Sequence, residues 1–269
     1  RLSGIINDLL DISKIEAGKM DFKFELIHVE PVIEYVKNNL MEVAKEKNLS
    51  IKYTPSGEDV EVYADSNRLE QVLTNLVSNA IKFTPDAGTI EITSRVVNAR
   101  ELQYDHCFED DIKRLQGNYL QVCVEDHGIG IERKDLNHVF DKFAQIENSL
   151  SRKVGGSGLG LPIARQLMES HNGAIWCDSE INKGSKFYFV IPIANDKSNF
   201  LMIRKQLAQK ARSNGSTIAV IKIKSTNEVI ENLLRENNLL NKTYMTNSLI
   251  EKEGAMTTLS LILVDGDKP

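Results

Sequence analysis

The sequence predicts an α/β fold, because helical and extended patterns alternate along the chain. Apolar residues recur at three- and four-residue spacing across 69–80, as in an amphipathic helix. Apolar and polar residues alternate across 89–96 and 119–125, as in half-buried strands. With 269 residues, of which 41% are hydrophobic and 26% charged, the chain can bury a core in about two domains.

Charge and cysteine content exclude several classes of function. The net charge is -5 and no long basic run is present, which argues against broad binding to nucleic acid or anionic membranes. Cys107, Cys123 and Cys177 are odd in number and show no C-x-x-C spacing, so neither a disulfide framework nor a zinc site is expected. No apolar run approaches the ~18 residues that span a bilayer, and no signal peptide is evident. We therefore expect a cytoplasmic chain, with any membrane anchor of the parent outside this sequence.

Residues 1–19 are predicted to form an amphipathic helix that begins without a cap and ends at Gly18. Its wide apolar face needs a partner, so we expect a helical bundle or a coiled-coil dimer. Packing against the chain's own domain is the alternative. An extended link or strand, a helix from Pro31 to about Lys47 and a strand over Ser50–Tyr53 are predicted to follow.

Asp65 is predicted to cap the helix whose apolar stripe runs from Leu69 to Ala80. Another face of this helix carries Asn75, Asn79 and Lys82, one turn apart. Amide oxygens suit Mg²⁺, and a lysine can meet phosphates as a point charge. A plain solvated helix face is the alternative.

The strands 89–96 and 119–125 are separated by about twenty residues that include an acidic run at 109–111. A connection of that length is expected to be disordered or to form a contact surface. The second strand ends in Asp126-His127-Gly128-Ile129-Gly130. A carboxylate at a strand end, followed by glycines that let a planar ring approach, can accept a hydrogen bond from an adenine amino group. A simple Asp-x-Gly turn is the alternative.

Residues 135–143 are predicted to form a short helix with Phe140 and Phe143 on one side as core anchors. The polar, basic stretch 144–156 resembles a mobile lid in composition, with Arg152 as a candidate contact to a γ-phosphate or, alternatively, a solvated loop charge. The glycine-rich stretch 155–161 then leads into a helix predicted over 161–169. The free N–H groups and dipole of a helix start favour a polyphosphate.

Four motifs occur in one order along the chain: Asn75-x-x-x-Asn79, Asp126-x-Gly128-x-Gly130, Phe140-x-x-Phe143 and Gly155 to Leu161. Together they resemble the N, G1, F and G2 boxes of the histidine-kinase catalytic domain, a GHKL-type ATP-binding domain, over about 60–194. The resemblance implies an α/β sandwich in which a mixed sheet packs on helices, with ATP and Mg²⁺ as ligands. It implies a metal site at Asn79, with Asn75 as a second candidate ligand, and it implies Asn75, Lys82 and Arg152 as catalytic residues. The nucleotide site implied by it comprises Asn75, Asn79, Lys82, Phe83, Asp126, Gly128, Gly130, Ile131, Phe140, Phe143, Gly156, Ser157, Gly158, Leu159, Gly160, Leu161 and Ser185.

The implied function is that of a sensor histidine kinase in a two-component system, of the hybrid type, which transfers the ATP γ-phosphoryl group to a histidine. Residues 7–19 resemble the second helix of the family's dimerisation and phosphotransfer hairpin, so residues 1–19 are assigned to that element and 20–194 to the catalytic domain. None of the chain's five histidines has the family's acceptor pattern, so the acceptor is expected outside this sequence. The partners implied are that hairpin, a second copy of the parent and a response regulator or receiver domain.

Position 75 separates two classes of GHKL protein. Branches that hydrolyse ATP to drive a conformational cycle carry a glutamate there as general base, and this chain carries Asn75. An amide cannot take up a proton, which favours a kinase over an ATPase conformational switch. A degenerate nucleotide-binding scaffold is the remaining alternative.

After a predicted closing hairpin, Ala174–Asp178 with Ser185–Ile193, the stretch 195–269 departs from the kinase pattern. In the hairpin turn Asn182 replaces a glycine of the family's third glycine box, and asparagine tolerates left-handed φ. Helices at 200–212 and 228–237 alternate with strands at 216–224 and 259–264, which suggests a small parallel α/β unit. The end of this unit resembles a receiver's phospho-accepting strand, with Asp265 as a candidate acceptor, but Lys222 and Lys224 stand where receivers carry an acidic pair. A degenerate nucleotide-cyclase-like domain is the alternative.

Overall fold

The fold is given by a computed structural model, which describes residues 2–17, 19–105, 108–144, 157–194, 218–226, 250–253 and 256–264. The chain divides into two compact units, residues 1–13 with 23–194 and residues 14–22 with 195–269. The domain boundaries predicted from the sequence, at 1–19, 20–194 and 195–269, remain predictions. Across the described ranges, no helix is both long and apolar enough to cross a bilayer.

The first unit contains a five-stranded mixed sheet, as predicted. Its strands are β2 (Ser50–Thr54), β4 (Thr89–Asn98), β5 (Asn118–Asp126), β6 (Ala174–Glu180) and β7 (Gly184–Pro192). Their order is β2-β4-β5-β7-β6, with β2 parallel to β4 and the other pairs antiparallel. The hairpin turn places Asn182 at φ +62°, so the expected left-handed residue is confirmed. A small ribbon of β1 (Glu25–Ile27) and β3 (Val62–Ala64) was not predicted as a pair.

Four helices of this unit begin and end close to the predicted positions: α1 (Leu2–Glu16), α2 (Glu30–Glu46), α3 (Ser66–Phe83) and α5 (Gly160–Ser170). Helix α3 contacts α2 and α5, and both α3 and α5 contact the sheet. The apolar stripe predicted for α3 is fully buried, as are Ile90 and Ile92 of the sheet. The α/β layering is therefore confirmed, with α3 at the centre of the core.

A buried polar pair joins the start of α3 to the end of α5. The Asp65 carboxylate accepts hydrogen bonds from the N–H groups of Asn67 and Arg68, which confirms the predicted cap, and from the N–H of Lys23 at 2.7 Å. The Asp65 N–H donates to His171 Nε2 at 3.1 Å, and His171 Nδ1 donates to the Leu167 carbonyl at 2.7 Å. With one ring nitrogen donating and the other accepting, His171 is a neutral imidazole.

The other end of α3 is fixed by Lys47. Its ammonium donates to the carbonyl oxygens of Ile81, Lys82 and Thr84 at 2.7 to 3.3 Å. A cation at a helix C-terminus satisfies carbonyls that have no partner within the helix and interacts favourably with the dipole. Both ends of α3 are thus tied to other parts of the fold.

Helix α1 lies against α3 through part of its surface. Asp11 accepts a hydrogen bond from Gln71 Nε2 at 2.9 Å and pairs with Arg68 at 3.5 Å, and Ile12 is buried. Ile6, Leu9 and Leu10 remain 41 to 51% exposed. One face of this helix therefore packs on its own domain, as the alternative expectation had it. An apolar face is left uncovered within the unit, and the expected bundle or dimer stays a prediction.

The connection between β4 and β5 is folded in its described residues, so the expectation of a disordered loop was wrong, while the alternative of a contact surface stays a prediction. It contains a 3₁₀ turn at Ala99–Glu101 and the short helix α4 (Glu109–Ile112). Leu102, Phe108, Ile112 and Leu115 are buried. The expectation failed because these apolar residues, spaced irregularly, find cover on the same domain.

The segment after β5 corrects another prediction. A 3₁₀ helix spans Arg133–His138, in place of the helix predicted over 135–143. Phe140 is buried, as expected, but Phe143 is 62% exposed and has φ +62°. Because the helix ends at 138, residues 140 and 143 no longer share a helical face.

The second unit carries a three-stranded sheet of β8 (Ile218–Thr226), β9 (Ile250–Glu253) and β10 (Met256–Val264). The order is β8-β10-β9 and both pairings are antiparallel, so the parallel unit inferred from the β-α-β alternation was wrong. Strand β9 was not predicted. The helices predicted at 200–212 and 228–237, and Asp265, lie outside the described residues.

The cap at Asp65 gives a first test of the fold. Asp65→Ala removes the acceptor for three N–H groups, so we expect the free energy of unfolding to fall by roughly 2–4 kcal/mol in urea titrations. Asp65→Asn keeps one acceptor oxygen and should give an intermediate loss. An alanine variant within about 0.5 kcal/mol of the parent protein would contradict the role given to this carboxylate.

Candidate functional site

A cavity of about 270 Å³ lies between α3, the end of β5 and the start of α5. This volume is close to the lower limit of ~300 Å³ for typical small-molecule sites. Twelve of the residues expected from the sequence line it: Asn75, Asn79, Lys82, Phe83, Asp126, Gly130, Ile131, Ser157, Gly158, Gly160, Leu161 and Ser185. Residues from three of the four motifs, which lie between positions 75 and 161, therefore line one concave surface.

The polar wall of the cavity is a single face of α3. Asn75 Nδ2 donates to the Gly160 carbonyl at 3.0 Å, which joins α3 to the first residue of α5. The Asn79 amide makes no hydrogen bond to any described residue, so its oxygen is available as a hard ligand. Lys82 also lines the cavity, and its Nζ lies 5.5 Å from the ring centroid of Phe83. This face can hold a divalent cation and a phosphate.

Asp126 forms the opposite end of the cavity. Its side chain is buried, with Oδ1 accepting from the Gly128 N–H at 2.8 Å. Burial raises the pKa of Asp126 to about 6, against the opposing effect of the backbone N–H groups of Gly128 and Ser185. Since this value is still below 7, the carboxylate is mostly ionised at neutral pH and can accept a hydrogen bond from a ligand. Among the described residues, backbone N–H groups are the hydrogen-bond partners of this carboxylate.

Ser185 lies beside this carboxylate within a chain of hydroxyl groups. Ser179 Oγ accepts from the Ile131 N–H and donates to the Gly184 carbonyl, both at 2.8 Å. The 2.9 Å contact between the Ser179 and Ser185 hydroxyls therefore uses the Ser185 proton. Ser185 Oγ is left as an acceptor at the cavity.

Two glycines are required by close approaches around the site. A Cβ at Gly128 would lie 2.5 Å from the Phe83 carbonyl oxygen and 2.7 Å from Asp126 Oδ1. Gly158 has φ +68°, and a Cβ there would lie 2.9 Å from the backbone of Phe143. Gly128 thus shapes the site from behind, without lining it.

The two chain ends on either side of residues 145–156 are held together. The Phe143 N–H donates to the Gly158 carbonyl at 3.0 Å. Ser157 Oγ accepts from the Leu159 N–H at 3.3 Å and donates to Asp8 Oδ2 at 3.2 Å. These contacts hold the start of α5 in place next to the cavity, which Gly160 and Leu161 line.

Some expected site residues lie elsewhere. Gly128, Phe140, Phe143 and Leu159 do not line the cavity: Phe140 and Leu159 are buried in the core, and Phe143 is exposed. Phe140 still contacts a lining residue, since its ring centroid lies 6.5 Å from that of Phe187. Arg152 and Gly156 lie outside the described residues.

Seven lining residues were not expected: Asp8, Ser78, Ile129, Val139, Ala144, Pro162 and Phe187. Ser78 could have been found, because positions 75, 78, 79 and 82 follow the helical i, i+3, i+4, i+7 pattern. Asp8 could not, because its position at the cavity depends on the packing of α1. Its carboxylate places a negative charge near Ser157 and would repel a phosphate there.

Comparison with known proteins gives consistent results. Residues 64–195 match the family described as histidine kinase-, DNA gyrase B- and HSP90-like ATPase. The sensor histidine kinase WalK of Bacillus subtilis is 31% identical over 199 residues, which cover 74% of this chain and 30% of WalK. Full-length ShkA, solved in complex with AMPPNP, has a TM-score of 0.56 at 25% identity, covering 72% of this chain and 36% of ShkA. The histidine kinase ThkA, solved in complex with the response regulator protein TrrA, has a TM-score of 0.51 at 26% identity, covering 72% of this chain and 48% of that one. The chain spans less than a third of the length of the curated relatives it matches first.

The raised pKa of Asp126 predicts a pH dependence of stability. Below pH 3.8 the carboxyl is protonated in both folded and unfolded chains. As the pH rises to about 6, the unfolded chain loses this proton first, so the group's contribution to stability is lost across that window. The Asp126→Asn variant has no proton to lose at this position. Its unfolding free energy minus that of the parent protein should therefore grow by roughly 2 kcal/mol between pH 4 and pH 7.

Urea titrations without nucleotide measure this difference, in which the pH dependence common to both proteins cancels. A difference that stays constant between the two pH values would show that Asp126 is not buried as described.

Proposed function

Because residues 64–195 belong to the family of histidine kinase-, DNA gyrase B- and HSP90-like ATPases, we propose that this domain binds ATP with Mg²⁺ and transfers the γ-phosphoryl group to a histidine side chain. The observation that carries the proposal is one cavity with two chemically different ends. A buried carboxylate and apolar residues line one end, and amides, a lysine and a helix start line the other. Adenine and a triphosphate have the matching chemistry.

At the adenine end, Asp126 accepts a hydrogen bond from the exocyclic amino group. Ser185 Oγ offers a second acceptor, and Ile129, Ile131 and Phe187 supply apolar contacts for the ring. Guanine carries a carbonyl oxygen at the corresponding ring position, which a carboxylate would repel. The site should therefore prefer adenine nucleotides.

At the phosphate end, the first N–H groups of α5 and the ammonium of Lys82 bind phosphate oxygens. Asn79 would hold Mg²⁺ through its amide oxygen, with Asn75 as a second candidate, and the residues present fit such an ion because amide oxygens are hard ligands. When bound, Mg²⁺ neutralises charge on the transferring phosphoryl group. Arg152 remains a proposed contact to the γ-phosphate.

Phosphoryl transfer is favoured over a hydrolytic cycle by the state of Asn75. Its amide nitrogen donates to the Gly160 carbonyl, and an amide has no basic site with which to activate water. Transfer to a histidine requires mainly positioning and charge neutralisation from this domain. Asn75 contributes the first of these by fixing α5 relative to α3.

The proposal implies a histidine-bearing hairpin as acceptor and a response regulator or receiver downstream. The solved complex of ThkA with the regulator TrrA supports a partner of that kind. The exposed apolar residues of α1 are compatible with a homodimer of the parent. Residues 20–194 would form the catalytic domain and residues 1–19 part of the dimerisation element.

The proposal is tested by mixing the protein with labelled MgATP and a separately produced helical hairpin that carries an acceptor histidine. We expect label on the hairpin in acid-labile, alkali-stable form. Asn79→Ala should lower the affinity for MgATP by about tenfold or more in calorimetry, with little effect on stability. Asn39→Ala, at an exposed asparagine of α2, is the matched control and should bind as the parent protein does.

Two outcomes would contradict the proposal. Steady hydrolysis of several ATP molecules per second without an acceptor would favour a conformational ATPase. Undetectable binding of any adenine nucleotide would favour a degenerate scaffold.

A further inference from the structure

We infer that residues 99–105 and 108–117, between β4 and β5, form a buttress that holds two walls of the nucleotide cavity in place, with Phe108 and Asp111 as its positioning residues. The inference rests on the proposed function of that cavity. It concerns the long connection to which the sequence analysis assigned no part in the nucleotide site. Neither residue lines the cavity.

The buttress is closed at its base and fixed to the sheet. The Ala99 N–H donates to the Gly117 carbonyl at 2.9 Å, and Asn98 Nδ2 donates to Asn118 Oδ1 at 2.9 Å. Further along, the Gln103 carbonyl accepts from the indole N–H of Trp176 at 3.2 Å. Because these hydrogen bonds fix the connection to the sheet, it can hold neighbouring residues in position. A solvated loop could not do so.

An aromatic contact leads from the buttress to the adenine end of the cavity. The buried Phe108 ring meets Phe140 edge to face, with centroids 5.8 Å apart and planes at 82°. Phe140 meets Phe187 in the same manner, with centroids 6.5 Å apart and planes at 80°, and Phe187 lines the cavity. Because a close-packed interior transmits displacements, a smaller residue at 108 would let Phe140 withdraw from Phe187.

An ion pair leads from the buttress to the phosphate end. Asp111 Oδ2 lies 2.7 Å from Arg165 Nη2, and Arg165 is on α5, whose first residues line the cavity. Arg114 supports the same region, because its Nε donates to the Asp111 carbonyl at 3.1 Å and its Nη2 donates to the Gly173 carbonyl at 3.4 Å. The buttress thus holds α5 about one turn beyond the residues that line the cavity.

A third contact reaches the segment that precedes Phe140. Asp105 Oδ2 pairs with Arg133 Nη2 at 3.2 Å, at the start of the 3₁₀ helix. The buttress is therefore bonded both to residues 133–140 and to α5, which lie on either side of residues 145–156. A simple cover for the edge of the sheet would need contacts to β6 alone.

The test measures the dissociation constant of MgATP by calorimetry, at a temperature where circular dichroism shows every variant to be folded. Phe108→Ala should weaken binding about tenfold and Phe108→Leu by less. Asp111→Arg and Arg165→Asp should each weaken binding about threefold or more, and the double swap should restore it. Glu169→Gln is the matched control, because Glu169 is the other carboxylate on Arg165, 3.4 Å away, and lies on α5 itself. It should bind within about twofold of the parent protein.

A double-mutant cycle separates positioning from general loss of structure. If Phe108 acts through Phe140, then Phe108→Ala and Phe140→Leu should together weaken binding by clearly less than the product of their separate effects. Parent-like dissociation constants for Phe108→Ala and for Asp111→Arg, in a protein that binds MgATP, would overturn the inference and leave the proposed function intact. A parent protein that does not bind MgATP would instead overturn the proposed function.

Discussion

The site depends on how α3 is held against α5. A hydrogen bond from the Asp65 N–H to the buried, neutral His171 joins the start of α3 to the end of α5, and the Asn75 amide joins the middle of α3 to the first residue of α5. Lys47 fixes the far end of α3. With three such contacts, the face carrying Asn79 and Lys82 keeps a set distance from the N–H groups at the start of α5. A phosphate site needs this fixed arrangement. If the charged and hydrogen-bond-donating groups had to be brought into position first, the cost of ordering them would reduce the binding free energy.

The rest of the cavity follows from the sheet. Asp126 is the last residue of β5, and the pairing of β5 with β7 places Ser185 opposite it. Burial raises the pKa of this carboxylate, and a ligand in the cavity can donate a hydrogen bond to it. In the proposed function, the domain would recognise the base by one buried acceptor and the phosphates by a helix start.

The sequence predicted local features well and long-range packing poorly. The cap at Asp65, the helix carrying Asn75 and Asn79, the sheet strands and the left-handed Asn182 were all available from short patterns. The prediction that Phe143 is a core anchor was wrong, because the helix predicted over 135–143 ends at His138. Three features depend on contacts between distant residues, which no local pattern reports. They are the folded state of the described residues between 99 and 117, the location of Asp8 at the cavity and the antiparallel pairing of β8 with β10.

The central claim is that amides of α3 hold a metal ion at one end of a cavity whose other end recognises adenine through Asp126. The most direct measurement is a crystal structure of the protein with Mn²⁺ and a non-hydrolysable ATP analogue, in which anomalous scattering locates the metal. The account predicts Mn²⁺ within about 2.3 Å of Asn79 Oδ1 and the adenine amino group within hydrogen-bond distance of Asp126. A metal bound away from α3, or a base turned away from Asp126, would contradict it.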